Sequence, residues 1–151
     1  KYFKKKNWQL KILTILFLSH ITFIMIKDHP HQNVYFNFLT GKNIQTKFEM
    51  DYWGLSNKQA LEYILKNDSK DTIRIGSAGP ISLENSKQIL SLLDKNRISI
   101  SENIKSDYII DNYINWYGRY KKKKHEIPNN FNIYKEIFVS NEKIISIYKR
   151  D

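Results

Sequence analysis

The chain has 151 residues, no cysteine, and 25 lysines and arginines against 15 aspartates and glutamates, a formal net charge of +10. This length fits one domain, and a hydrophobic content of 41% supports a folded core, which excludes wholesale disorder. The absence of cysteine excludes a disulfide scaffold, thiolate zinc sites and a cysteine nucleophile.

The first element is an apolar stretch that predicts a membrane-spanning helix. Residues 8–26 read WQLKILTILFLSHITFIMI, in which Lys11 is the one charged residue. A helix of this length covers about 28 Å, close to the thickness of a hydrocarbon core. A buried helix of a soluble protein is the alternative, but the stretch lacks the polar face that such a helix usually shows.

The flanking charges predict the orientation of this helix. Lysines cluster before it and Asp28 follows it, so the positive-inside rule places the amino terminus in the cytoplasm and the rest outside. The exit from Ile24 to Pro30 offers no small-x-small cleavage site, which favours a retained anchor over a signal peptide. We therefore expect a basic flank and transmembrane helix over 1–27, an interfacial linker over 28–55 and an exported domain over 56–151, with the lipid bilayer as a partner.

The linker carries aromatic and acidic residues. Residues 33–39 are rich in Tyr and Phe, which favour a membrane interface. Lys47–Asp51 alternates and predicts a short strand with Glu49 and Asp51 on one face. Paired carboxylates serve as acid and base or hold a cation, but a solvated edge or a salt bridge to a lysine is the favoured interpretation.

The remainder predicts a small mixed-sheet domain of the α/β class. Ser56 to Gln59 has the spacing of a capping box and begins a helix with apolar residues on one face. Short strands, one further helix and a closing hairpin follow. These elements are a strand over 72–76, a helix over 82–93, strands over 97–101 and 107–111, and hairpin strands over 132–139 and 143–148.

Two short clusters contain residue types that occur in metal or cofactor sites. His29 and His31 flank Pro30 beside Asp28, but so short a cluster lacks the spacing that fixes tetrahedral metal geometry, and hydrogen bonding is favoured. Residues 76–79 (GSAG) follow a strand without the third glycine of a dinucleotide fingerprint or the Gly-Lys-Ser/Thr of a P-loop. We expect neither a metal nor a cofactor in this chain.

A basic stretch near the carboxy terminus raises the question of an anionic partner. Lys121–Lys124 lies close to Trp116, Tyr117 and Tyr120, a composition suited to anionic lipid or an RNA strand. A solvated loop is the favoured interpretation. Arginines, which nucleic-acid readers favour, are scarce, and the predicted export separates the domain from nucleic acid. We expect no nucleic-acid partner.

Several stretches are more specific than composition, and they share one family resemblance. They are His29–Asn37 (HPHQNVYFN), Phe48–Ser56 (FEMDYWGLS), Gln59–Glu62 (QALE), Ser106–Tyr113 (SDYIIDNY) and Ile144–Arg150 (IISIYKR). Together they resemble the carboxy-terminal region of bacterial polytopic membrane glycosyltransferases of the C-type superfamily, similar to dolichyl-phosphate-mannose–protein mannosyltransferases. The Asp-Tyr-Trp-Gly run at 51–54 is the most specific part.

The resemblance implies a transferase that moves a sugar from a polyprenyl-phosphate donor to an acceptor outside the inner membrane. It implies that the catalytic carboxylates lie upstream of Lys1, so that this chain is a non-catalytic fragment whose partners include the upstream transmembrane helices of the same protein. Any divalent cation would belong to the full-length enzyme.

The resemblance also selects candidate interface or substrate-proximal residues: His29, Tyr35, Asn37, Glu49, Asp51, Tyr52, Trp53 and Gly54. Tyr and Trp rings suit a membrane interface or sugar stacking, and glycine permits close backbone approach. The run at 51–54 either packs the domain onto the transmembrane helices or completes the core of the domain itself. A single-anchor exported binding or assembly domain without enzyme activity is the alternative function.

Overall fold

The computed structural model describes residues 2–36, 38–40, 44, 47–79, 81–112 and 127–151. Helix α1 covers Tyr2–Lys27, and its part from Asn7 to Lys27 is long and apolar enough to cross a membrane. None of its apolar window is buried within the protein. Thr14 donates to the Leu10 carbonyl at 2.9 Å, which satisfies its hydroxyl inside the helix. The predicted apolar helix is confirmed.

The chain after α1 turns sharply and contributes to the core of the domain. Short 3-10 turns form at Gln32–Val34 and Phe38–Thr40. The strand predicted over Lys47–Asp51 is wrong, because these residues form turns. The neighbours Met50 and Asp51 are both buried, whereas successive side chains of a strand point to opposite faces. Through Val34 and Met50 the segment over 28–55 packs into the hydrophobic core.

Helix α2 covers Leu55–Asn67 and buries an apolar stripe of Ala60, Leu61, Ile64 and Leu65, as predicted. The predicted capping box is wrong. Gly54, not a serine, occupies the N-cap, and Ser56 lies within the first turn. The Ser56 hydroxyl instead donates to the buried Asp51 carboxylate, which lies outside the helix.

Over the described residues the chain forms five strands: β1 (Ile73–Ser77), β2 (Ile98–Ile100), β3 (Tyr108–Asp111), β4 (Phe131–Val139) and β5 (Glu142–Arg150). They form one mixed sheet in the order β2-β1-β3-β5-β4. Strand β1 pairs in parallel with β2 and β3, while β3, β5 and β4 pair antiparallel. The predicted α/β class is therefore confirmed.

Two short helices replace the single helix predicted over 82–93. They are α3 (Leu83–Gln88) and α4 (Leu92–Arg97). The Ser91 side chain accepts from the Asp94 backbone N–H at 3.2 Å and so begins a new helix. Helix α4 buries none of its residues.

The connection from β2 to β3 passes close to the backbone of β1. The connection from β2 to β3 forms a 3-10 turn at Asn103–Lys105 that passes directly over Gly76. A Cβ at Gly76 would lie 2.3 Å from Asn103 Oδ1 and 3.1 Å from the Asn103 Cα, so a larger residue would force the Asn103 side chain to move. At the other edge Ser140 and Asn141 have φ values of 46° and 69°, which suits the tight turn of the β4–β5 hairpin.

The domain has two ends that differ in their distance from α1. The helix-side end contains the exit of α1, the start of α2 and the hairpin turn at Ser140, which are hydrogen-bonded to one another. The far end contains the last turn of α2 and the beginnings of β1 and β3. About 18 Å of helix separates the two ends of α2.

Candidate functional site

The helix-side end is fastened to the exit of α1 by three hydrogen bonds. Asp28 is buried although it directly follows the apolar helix, because it accepts a bond from the hairpin turn. The three bonds run from Ser140 Oγ to Asp28 Oδ2 at 2.5 Å, between His31 Nε2 and Gln59 Oε1 at 3.0 Å, and from Asn33 Nδ2 to the Met50 carbonyl at 3.4 Å. These bonds join residues 28–33, directly after α1, to the hairpin turn, to α2 and to Met50.

The residues of the Asp28–His31 cluster have separate partners. His29 Nδ1 pairs with the Gln32 side-chain amide at 2.8 Å on the exposed surface, whereas His31 is buried. Over the described ranges no three His, Asp or Glu side chains lie close enough together to hold a metal ion. The local geometry therefore supplies hydrogen bonds, and the described residues offer no metal ligand set here.

After the 3-10 turn at Gln32–Val34 the chain runs back alongside the last turns of α1. A groove of about 230 Å³ lies between them, lined by Ile21, Ile24, Met25, Gln32 and Tyr35. Tyr35, one of the predicted site residues, thus lies beside α1 and remains partly exposed. The groove wall is almost wholly apolar and continues the exposed surface of the helix.

The run at 51–54 has a buried half that begins with Asp51. The Asp51 side chain is fully buried, and its Oδ2 accepts from the Ser56 backbone N–H at 3.3 Å and from the Ser56 hydroxyl. Its Oδ1 has no hydrogen-bond partner among the residues that the structure describes. Burial raises the pKa of Asp51, and the Ser56 bonds and the nearby His31 imidazole offset part of that rise.

Gly54 closes the buried half in a left-handed conformation, with φ at +66°. Its N–H donates to the Asp51 carbonyl at 2.9 Å, and its carbonyl accepts from Asn57 at 3.1 Å. A Cβ here would lie 2.9 Å from Ile81 Cγ2. Both the φ value and the packing therefore select glycine.

Tyr52 and Trp53 form the exposed half of the same run. Their side chains are 57% and 73% exposed, and their rings meet edge-to-face with centroids 5.0 Å apart. Asp51 and Gly54, which are buried on either side of these two residues, fix the backbone that carries both rings. The run therefore packs into the domain through Asp51 and Gly54 and presents two aromatic rings at the surface, while its packing onto transmembrane helices stays a prediction.

The other predicted site residues do not join this arrangement in the predicted way. Glu49 is half-buried, and it does not share a strand face with Asp51 because no strand forms. Asn37 lies outside the described residues, as does the basic stretch Lys121–Lys124 with its neighbouring aromatics.

Two buried polar residues beside the run were missed as site residues. Within the described part of the chain, neither side-chain amide atom of the buried Asn57 has a hydrogen-bond partner, and His31 Nδ1 has none either. Asn57 precedes Ala60 and Leu61 by three and four positions, so it lies on the apolar stripe of α2. A polar residue on that apolar stripe is the sequence signal for a buried polar group. The capping-box interpretation assigned these residues to the helix start instead, so the signal was missed.

The far end has a different electrostatic character. Arg74 donates from Nε and Nη2 to the two carboxylate oxygens of Asp107 at 3.1 and 3.0 Å. These hydrogen bonds lower the pKa of Asp107 to about 2, although partial burial opposes the change. Asp68 accepts from the Tyr108 hydroxyl at 2.9 Å, and burial together with that bond raises the pKa of Tyr108.

Comparison of the chain with protein-family models, with curated proteins and with solved structures finds no match.

Proposed function

We propose that this chain is the carboxy-terminal, non-catalytic part of an integral membrane glycosyltransferase. In this proposal the full-length protein moves a sugar from a polyprenyl-phosphate donor to an acceptor outside the bacterial inner membrane. The α/β domain is then periplasmic or extracellular, with the start of α1 in the cytoplasm. The catalytic carboxylates, and any divalent cation that they hold, belong to the upstream part of that protein.

One observation carries the proposal beyond the resemblance of the sequence motifs. The Asp-Tyr-Trp-Gly run exposes Tyr52 and Trp53 from a backbone that the buried Asp51 and Gly54 hold in place. The run lies at the helix-side end of the domain, beside the start of α2. Large amphipathic rings on a fixed backbone suit contact with a membrane-embedded partner. We infer that the upstream transmembrane helices of the same protein contact these rings near the site of sugar transfer.

The test removes the larger ring in the full-length protein. Membranes containing Trp53→Ala are assayed for sugar transfer from a panel of polyprenyl-phosphate-linked sugars to endogenous acceptors. We expect the transfer rate to fall about tenfold, the effect of losing one central aromatic contact. Leu93→Ala is the matched control, because Leu93 is 79% exposed and lies on α4. Unchanged transfer and unchanged membrane abundance for Trp53→Ala would contradict the proposal.

A second function, a single-anchor assembly domain without enzyme activity, is favoured by a different surface. Helix α4 buries none of its residues, and Ile89, Leu92 and Leu93 are all largely exposed along the α3–α4 segment. Exposed apolar clusters of this kind often mark protein contacts. Under this alternative Leu93→Asp abolishes co-purification of a partner, whereas Trp53→Ala leaves that co-purification unchanged.

A further inference from the structure

We propose that the helix-side end of the domain is embedded in the boundary between lipid headgroups and acyl chains. The membrane face is defined by Tyr35, Leu39 and Phe48 together with the groove beside α1. Its partner is the phospholipid bilayer in which α1 lies. The inference concerns different residues from the proposed glycosyltransferase contact and stands independently of it.

The first argument is depth along α1. Gln32 and Tyr35 line the same groove as Ile21, Ile24 and Met25, so the chain returns beside the last two turns of the helix. A spanning helix that ends at Lys27 carries those turns at the outer edge of the hydrocarbon layer. Tyr35 therefore lies at the depth where tyrosine rings are enriched in membrane proteins.

The second argument is the chemistry of the exposed side chains. Leu39 is 76% exposed, and Tyr35 and Phe48 are each nearly half exposed. The Phe48 ring stacks on Phe36 with centroids 4.8 Å apart, which brings residue 48 to the segment that folds back along α1. The Lys47 ammonium donates to the Thr40 carbonyl at 3.1 Å, so the exposed side chains of Leu39 and Phe48 belong to one surface.

The third argument is that an acyl chain is the natural occupant of the groove. The groove wall formed by Ile21, Ile24 and Met25 is continuous with the apolar surface of α1, whose window is unburied along its whole length. Acyl chains that contact α1 can therefore extend into the groove, because the groove wall is as apolar as the helix surface. Exposed Lys27 and Lys47 flank this region and suit anionic headgroups at its rim.

The far end of the domain includes a polar surface segment. Residues 66–72 (KNDSKDT) contain no apolar side chain, and all of them are exposed or half-exposed. The polar surface of residues 66–72 fits a segment that faces water.

Spin labels test the inference cleanly because the chain has no native cysteine. Leu39→Cys and Leu93→Cys are matched, at 76% and 79% exposure, and Leu16→Cys in α1 is the reference for insertion. Each variant is nitroxide-labelled, reconstituted in phosphatidylethanolamine–phosphatidylglycerol vesicles, and measured for collision with oxygen and with a water-soluble nickel chelate. Circular dichroism checks that each variant retains its fold.

We expect the oxygen-to-nickel collision ratio at position 39 to exceed that at position 93 severalfold and to approach the ratio at position 16. A ratio at position 39 equal to that at position 93 would overturn the inference. Low collision with both reagents at position 39 would also overturn it, because protein rather than lipid would then cover the face. A water-like ratio at position 16 would remove the premise that α1 lies in the bilayer, and the inference with it.

Discussion

Each end of the domain contains an aspartate, Asp107 at the far end and Asp51 at the helix-side end. The surrounding residues shift the pKa of the two carboxyl groups in opposite directions. At the far end Asp107 receives a forked pair of bonds from Arg74, and its pKa falls to about 2. At the helix-side end Asp51 is fully buried, one of its carboxylate oxygens has no partner among the described residues, and its pKa is raised. Ion pairing therefore favours the charged form at one end, while burial disfavours it at the other.

The difference separates residues that stabilise the fold from residues that present a surface. The far end uses Asp107 and Arg74 to join the beginnings of two parallel strands. The helix-side end buries Asp51 and a glycine in a left-handed conformation, and this turn exposes Tyr52 and Trp53. Unfavourable features at a functional surface are tolerated when the surrounding fold supplies the stability. Four substitutions test this comparison.

Gly54→Ala is expected to have the largest effect on folding. Alanine in the left-handed conformation and contact with Ile81 should together lower the free energy of unfolding by about 2 to 3 kcal/mol. Urea titration followed by circular dichroism in detergent measures this change. Wild-type stability in Gly54→Ala would show that the turn at 51–54 is not held as described.

Asp107→Asn is expected to destabilise the far end in a pH-dependent way. The folded pKa of Asp107 is about 2, below its ordinary value of 3.8, so its stabilisation is complete above that ordinary value and is lost as pH falls toward about 2. The variant should therefore be less stable than wild type at pH 7, and the difference should shrink between pH 4 and pH 2. A difference that is constant over this range would contradict the role given to Arg74.

Asp51→Asn is expected to change stability at neutral pH in the opposite direction to Asp107→Asn. Because the folded pKa of Asp51 is raised, its charged form destabilises the fold at neutral pH, and that penalty disappears on acidification below the ordinary value of 3.8. Asparagine should raise stability at pH 7 and have no advantage at pH 3. As a control, Asp51→Ala leaves the buried Ser56 hydroxyl without its acceptor and should destabilise by about 1 to 3 kcal/mol.

Trp53→Ala is expected to have the smallest effect on folding, within about 0.5 kcal/mol, because the ring is 73% exposed. In the full-length protein the same variant is expected to lower the rate of sugar transfer about tenfold. Thermal unfolding of the isolated chain measures the stability directly. A large loss of stability would mean that the exposed half of the turn serves the fold, and the comparison of the two halves would fail.

Elements determined by local sequence were predicted correctly. The apolar composition of α1 requires no knowledge of its neighbours, and its helix is confirmed. Strand β3 and the closing hairpin were also confirmed, because a short aromatic and β-branched run and the turn at Ser140 and Asn141 are local signals.

Elements determined by tertiary contacts were not predicted correctly. Ser56 has the spacing of an N-cap, but its hydroxyl bonds to Asp51, and only the folded turn brings that carboxylate within reach. The break in the helix predicted over 82–93 is a separate error with a local cause, because Ser91 caps a second helix. For the site, the sequence selected Tyr52, Trp53 and their neighbours but did not reveal which of them the fold buries.

The most direct test of the proposed function is to read the source DNA upstream of the Lys1 codon. If the chain is part of a polytopic glycosyltransferase, the open frame continues upstream through several further apolar spans and encodes a pair of acidic residues after the first span. A start codon directly before Lys1 would contradict that function, and the chain would then be a single-anchor domain without transferase activity.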